Sequence, residues 1–207
     1  MNTPCDKNDL EERIIRVARS LFIERGFAET SMSDIAATVG INRPVLHYYF
    51  RTKSRMFQAV FGDIVQSIVP TVFTILAQKD KPLDDRIGEI VDAYYALFLA
   101  HPRLPMFIVR EMNRDADLLI RTAMHLQLPE QLHDTFISLR EEMDSGKVKR
   151  IPIRFLFYNF YGMLSIPFLT QDFTHTIFLE KDENMGEMLK KWKVYIIAQM
   201  HHLLLSD

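Results

Sequence analysis

Apolar residues recur along most of this chain at intervals of three and four, the spacing that keeps them on one face of an α-helix. Leu10, Ile14, Val17 and Leu21 form the first stripe, and Arg13, Arg16, Arg19 and Glu24 fall on the other faces. Gly26 stands where a helix needs a residue with positive φ to stop, and Phe27 can then fold back onto the last turn. A second helix is predicted over Met32 to Val39, with Ile35, Ala36 and Val39 as a small apolar face and Gly40 as the corner after it.

The chemistry of the helix ends supports these boundaries. Ser31-Met32-Ser33-Asp34 fits a capping box, in which the Ser31 hydroxyl accepts from the Asp34 amide and the carboxylate returns to the Ser31 N–H. Asn42 suits the N-cap of a third helix, with Arg43 first and Pro44 second, where a missing N–H costs little. Val45 or Leu46, with Tyr49 and Phe50, can face the supporting helices, which leaves Arg43, Pro44, His47 and Tyr48 pointing outward. Two short helices about a glycine corner have the form of a helix-turn-helix.

The helical spacing continues. A helix from Lys53 to about Gln78 is expected to kink or break at Pro70, and Lys79-Asp80-Lys81-Pro82 reads as a turn. Further helices are predicted from Asp84 to His101, over a short segment reaching Glu111, and over Asp117 to Asp144 with a break near Pro129. Ile151 to Ile166 is apolar nearly all round, and the last helix runs from about Asp182 to Leu205. Met185, Leu189, Trp192, Ile196, Met200 and Leu203 make its stripe. Hairpin signals are scarce, so the fold is expected to be all-α: a three-helix helix-turn-helix DNA-binding domain over 1–52, then a helical ligand-binding and dimerisation domain over 53–207.

With 48% hydrophobic residues in 207, the chain can bury a sizeable core. Its formal net charge is -2, yet Gly40 to Gly62 holds Arg43, Arg51, Lys53 and Arg55 with no Asp or Glu. Four basic residues alone read as a solvated helix face; their coincidence with the helix-turn-helix points to a polyanion met at one face. Cys5, the single cysteine, has no intramolecular partner, which suits a reducing cytoplasm. The polar N-terminus lacks the pattern of a targeting signal. The most apolar segment, Phe155 to Thr170, is interrupted by Asn159 and Pro167 and falls short of the ~20 residues that cross a bilayer, so no membrane partner is expected.

Gly26-Phe27, Thr30-Ser31-Met32, Ile35-Ala36, Gly40-Ile41, Leu46, Tyr49-Phe50 and Lys53 together resemble the tetracycline-repressor (TetR) family of bacterial regulators over the first quarter of the chain. The resemblance implies that Thr30 and Ser31 contact phosphate, that Arg43 and Pro44 face base edges, and that His47, Tyr48, Tyr49 and Lys53 hold the DNA backbone. Pro44 stands where the family commonly has glycine and His47 where it commonly has tyrosine, so the operator sequence does not follow by analogy.

In the body, Tyr94, Tyr95, Phe98, Phe107, His125, Phe136, Asn159, Phe160 and Met163 belong to an interior rich in aromatic residues and methionine. Each alone reads as core; together they suggest a cavity for an apolar or amphipathic small molecule. The two last long helices, with Gly162 and Ser165 allowing close contact, suggest a homodimer through a four-helix bundle. Such a dimer would read a near-palindromic duplex, and a ligand favouring the wrong spacing of its reading helices would release it.

Enzymatic function is disfavoured. His101, His125, His133 and His175 lack metal-ligand spacing, no phosphate-binding glycine loop or nucleophile elbow occurs, and Glu141-Glu142 reads as a solvated helix end. No catalytic residue, metal or cofactor is therefore expected. The alternative function is nonspecific DNA association, or an interaction protein that keeps only the dimeric body.

Overall fold

The computed structural model describes the backbone of residues 5–205 and the side chains of all of these except 5–8, 129–132 and 134. The described chain is helical: α1 (Cys5–Glu29), α2 (Met32–Val39), α3 (Arg43–Tyr49), α4 (Lys53–Leu76), α5 (Leu83–Ala100), α6 (Leu104–Arg114), α7 (Ala116–His125), α8 (Leu128–Asp144), α9 (Ile153–Leu169), α10 (Gln171–Phe173) and α11 (Met185–Leu204). No strand occurs among the described residues, so the fold is all-α.

Packing divides the chain into two compact units. The first combines the residues up to Ser67 with Met106–Leu126, and the second combines Ile68–Pro105 with the residues from Gln127 onward. Residue 52, the functional boundary expected from sequence, falls inside the first unit. Most of α6 and all of α7, which the sequence places after that boundary, pack with the helix-turn-helix.

Within the first unit, α1 leaves helical geometry at Gly26 (φ 88°, ψ 170°), and Phe27 does turn back: its ring lies 5.9 Å from that of Phe22. Phe57 meets both rings edge-on and packs against Phe107 of α6. Ile14, Phe22, Ile35, Leu46 and Met56 are among the fully enclosed side chains of this unit. By length and composition α4 alone among the described helices could cross a bilayer; here Met56, Phe57, Val60 and Ile64 are instead buried in protein.

Within the second unit, α11 packs on α5 and α9. The Trp192 indole N–H donates to the Met163 carbonyl at 2.9 Å, and Lys193 pairs with Asp92 at 2.6 Å. Leu189, Ile196 and Met200, from the predicted stripe, are buried.

Three details differ from the sequence expectations and one, the break near Pro129, is made sharper. Pro70 neither ends nor interrupts α4: it is exposed, and Ile68 and Ile75 on either side of it are buried, so packing holds the helix across the lost hydrogen bond. The break between α7 and α8 falls at Gln127, which takes a left-handed conformation (φ 54°, ψ 27°), and Pro129 lies in the first turn of α8. A helical stretch not foreseen follows α9, α10 continuing into a π-turn over Thr174–Phe178. Finally, Glu142 is not solvated. It is 8% exposed and bound to Arg86, whereas Glu141 is exposed and meets Lys79 at 3.1 Å.

Candidate functional site

Helices α2 and α3 take their ends from adjacent side chains. The Asp34 amide donates to the Ser31 hydroxyl at 3.1 Å and the Ser31 N–H donates to the Asp34 carboxylate at 2.9 Å, closing the capping box. The Ser31 hydroxyl also donates to that carboxylate, and these bonds hold the Asp34 carboxyl below its ordinary pKa, the hydroxyl contributing most. Gly40 turns in the left-handed region at φ 79°, returning its N–H to Ala36 and Ala37. The Val45 N–H then donates to the Asn42 side chain at 3.0 Å, and Pro44 occupies the first turn of α3.

This geometry settles which face of α3 is inside. Leu46 is fully buried and Val45 only half so, while Arg43, Pro44 and Tyr48 are exposed, Tyr48 at 71%. His47 and Tyr49 are half-buried, and the Tyr48 ring meets the Tyr49 ring edge-on at 5.4 Å. Arg43 Nε donates to His47 Nε2 at 3.3 Å, and His47 Nδ1 lies 3.2 Å from the Arg51 carbonyl. A neutral imidazole protonated on Nδ1 satisfies both contacts, so His47 tethers the Arg43 side chain to the end of its own helix.

Two expected phosphate contacts look different in three dimensions. Thr30 is fully buried, and its hydroxyl is directed at the Gly26 carbonyl, 2.9 Å away, with that of Leu21 at 3.2 Å. Its side chain locks the corner after Gly26, which leaves Ser31 as the exposed hydroxyl at this helix start. Lys53 donates to the Ala28 carbonyl at 3.1 Å and lies 4.4 Å from the centre of the Phe27 ring. Burial, then the nearby Arg114, lowers its pKa from the ordinary lysine value.

A buried carboxylate organises the same corner. Glu111 of α6 is 1% exposed; it accepts from the Phe27 backbone N–H at 3.0 Å and from Arg114, whose guanidinium sits 4.1 Å from the Phe27 ring centre. Arg110 donates to the Phe22 carbonyl at 3.3 Å. From sequence, Glu111 marks only the end of a short helix. No local signal marks its bond to the Phe27 amide, because Phe27 lies 84 residues away along the chain.

The residues expected to line a ligand site are partly gathered. Tyr94, Phe98 and Phe160 cluster in the second unit, with ring centres 5.6 and 6.5 Å apart, and Tyr95 and Phe98 both meet Phe168. Phe136 and Met163 are half-buried in that unit. Phe107 and His125 are not part of the cluster: Phe107 packs on Phe57 in the first unit, and His125 is exposed there at the end of α7. Asn159 is exposed and its amide donates to the Phe155 carbonyl of its own helix at 2.8 Å. The Tyr95 and Tyr161 hydroxyls are buried without a partner among the described residues. Burial raises the pKa of Tyr94 and Tyr95 and pushes Tyr161 up to about 12.

Among the described residues no group of three or more His, Cys, Asp and Glu side chains is arranged to hold a metal ion. An exposed apolar face occurs on α9 and α11, comprising Phe155, Tyr158, Ile166, Val194 and Tyr195, and a Cβ added at Gly162 would meet open space.

Residues 14–60 match the family described as bacterial regulatory proteins, tetR family. The HTH-type transcriptional repressor KstR2 of Mycolicibacterium smegmatis is 25% identical over 117 residues, 56% of this chain and 57% of KstR2. The match thus spans little more than half of that relative's length. A Bacillus subtilis chain named "Probable HTH-type transcriptional regulator YttP" is 22% identical over 79% of each chain. Among solved structures, a TetR family transcription regulator from Marinobacter aquaeolei shares the fold with a TM-score of 0.72 at 14% identity, over 95% of this chain and 97% of that one.

Proposed function

As the chain belongs to the tetR family of bacterial transcriptional regulators, we propose that it is a cytoplasmic repressor that grips a near-palindromic operator as a homodimer and is released by an apolar or amphipathic small molecule. The observation that carries this reading is α3 itself. Its exposed Arg43, Pro44 and Tyr48 stand on a helix whose buried side is fixed by Leu46 and whose start is fixed by Asn42.

In this proposal Arg43 reads a guanine by paired hydrogen bonds in the major groove and Pro44 touches a base edge. Ser31, His47, Tyr48, Tyr49 and Lys53 position the protein on phosphates, a role that sets affinity without regard to sequence. Residues 1–52 form the DNA-reading domain, and 53–207 take the effector and dimerise. The open apolar face of α9 and α11 supports dimerisation, because a twofold partner covers Phe155, Tyr158 and Tyr195 and approaches closely at Gly162. The aromatic cluster of Tyr94, Tyr95, Phe98 and Phe160 receives the effector, whose polar group meets the unpartnered Tyr95 or Tyr161 hydroxyl. The ligand acts by binding one spacing of the two reading heads more tightly than the other.

Selection of bound sequences from a random duplex pool tests the reading. A motif with twofold symmetry and half-sites about 34 to 36 Å apart, or a multiple of that, is expected. Equal affinity and equal salt dependence on selected and random duplexes overturns it in favour of nonspecific association.

A further inference from the structure

The imidazole of His47 links the start of α3 to the turn that follows it. Arg43 opens the helix and His47 comes one turn later, a spacing at which two side chains meet on one face. With its proton on Nδ1, the ring donates to the Arg51 carbonyl at 3.2 Å and accepts from Arg43 Nε at 3.3 Å.

The tether decides how Arg43 can be used. A guanidinium has one N–H donor on Nε and four on its two terminal nitrogens. With Nε bound to the imidazole, a paired contact to guanine O6 and N7 falls to the terminal nitrogens, so Arg43 meets the base end-on. A long, exposed arginine gives up many rotamers on binding, and one that is aimed beforehand gives up fewer. The aiming group is also uncharged. A carboxylate in its place would hold the guanidinium but repel phosphates, and none occurs between Gly40 and Gly62.

A second proton reverses the arrangement. On Nε2 it removes the lone pair that accepts from Arg43 and sets two cations side by side, and the new N–H is free to donate to a phosphate oxygen. The ring therefore serves the base reader when neutral and the phosphate contact when charged, one at a time. The ionisable groups beside it are Arg43, Tyr48 and Tyr49 on its own helix, Arg51 after it, and Asp34 on α2, which packs on α3. The Asp34 carboxylate is occupied by Ser31, and His47 is the only histidine before His101.

We propose that His47 is a positioning residue for operator reading, which through Arg43 sets discrimination at one base pair of each half-site. The inference deepens the regulator reading and rests on the contact of Arg43 with a base.

Binding titrations of the full chain with the selected duplex, and with versions changed one base pair at a time, test it. Arg43→Ala identifies the pair that Arg43 reads. His47→Ala should lower discrimination at that same pair by about three- to ten-fold and leave the other positions unchanged. His47→Gln should restore most of the loss, because its amide oxygen can accept from Arg43 at the same spacing. In the Arg43→Ala background, His47→Ala should cost no further discrimination. From about pH 8 to about pH 5, the range in which imidazoles gain a proton, discrimination at that pair should fall in the unsubstituted chain. Its salt dependence should steepen over the same range by about one phosphate per half-site, and His47→Gln should show neither change. Without DNA, the ring nitrogen shifts at the alkaline end should place the proton on Nδ1. Thermal unfolding confirms that each variant is folded, and the pH response and ring shifts of the unsubstituted chain decide if one is not. Equal weakening of every duplex by His47→Ala, a full further loss in the double variant, a discrimination indifferent to pH, or a proton on Nε2 in place of Nδ1 overturns the proposal. If Arg43→Ala relaxes one pair and His47→Ala does not, this inference alone fails. If Arg43→Ala relaxes none, the reading of Arg43 fails and takes this inference with it.

Discussion

The helix-turn-helix and two long helices of the body, α5 and α9, are held in opposite ways. In the former, α2 and α3 are eight and seven residues long, and each begins with a side chain bonded to an amide three residues ahead. In the latter, α5 and α9 are eighteen and seventeen residues long and begin after Pro82 and Pro152 with no side-chain cap. Their order comes from groups distant in sequence, such as Arg86 with Glu142, 56 residues on, and Lys193 with Asp92, 101 residues back. A short helix is marginal alone and needs its ends satisfied. A long one can draw its stability from packing along its length. The ends of α2 and α3 are therefore fixed locally, while α5 depends on contacts with residues distant in the chain.

The sharpest way to break this contrast is Glu142→Ala. It leaves Arg86 buried without its carboxylate and should cost about 3–5 kcal/mol in urea unfolding, whereas joint replacement of Arg86 and Glu142 by Met and Leu should recover most of the loss. A loss well under 1 kcal/mol would show that the body is not held in this way. Arg43→Ala probes function without the scaffold. Operator discrimination at one base position should fall by about 1–3 kcal/mol in binding titrations, with little change in the unfolding midpoint.

Asn42→Ala tests the local side of the comparison and should cost about 1 kcal/mol of stability. Hydrogen exchange should locate that loss in the first turn of α3, with α9 unaffected. The smallest effect is the acid response of α2. Because Asp34 titrates below the ordinary carboxylate value when folded, its contribution is present above that value and is lost as pH falls through the lowered one. Amide exchange in α2 should therefore accelerate in strong acid, and Asp34→Asn should remove that pH dependence. An unchanged profile in the variant would assign the acid response to other groups.

Much of the reading element was legible in the residues, because its signals are local. Ser31 and Asp34, Gly40, and Asn42 with Pro44 each specify a backbone conformation or satisfy an amide within four residues, and the boundaries of α2 and α3 follow. Thr30 is a different case: the family resemblance implies a phosphate contact, and only the fold shows that its buried hydroxyl is directed at the Gly26 carbonyl. In the body, helical spacing revealed the stripe of α11 yet gave no way to know that α6 and α7 pack with the first unit.

The sequence by itself determined an all-helical chain, a capped helix-turn-helix with Arg43 and Tyr48 outward, and a basic stretch beside it, since periodicity, capping and charge are properties of neighbours. Only the tertiary structure decided that Glu111 serves the Phe27 amide and that Glu142 is buried against Arg86. A charged residue looks the same in a sequence whether water or a distant partner solvates it. Which of the two it finds depends on contacts made between helices far apart along the chain.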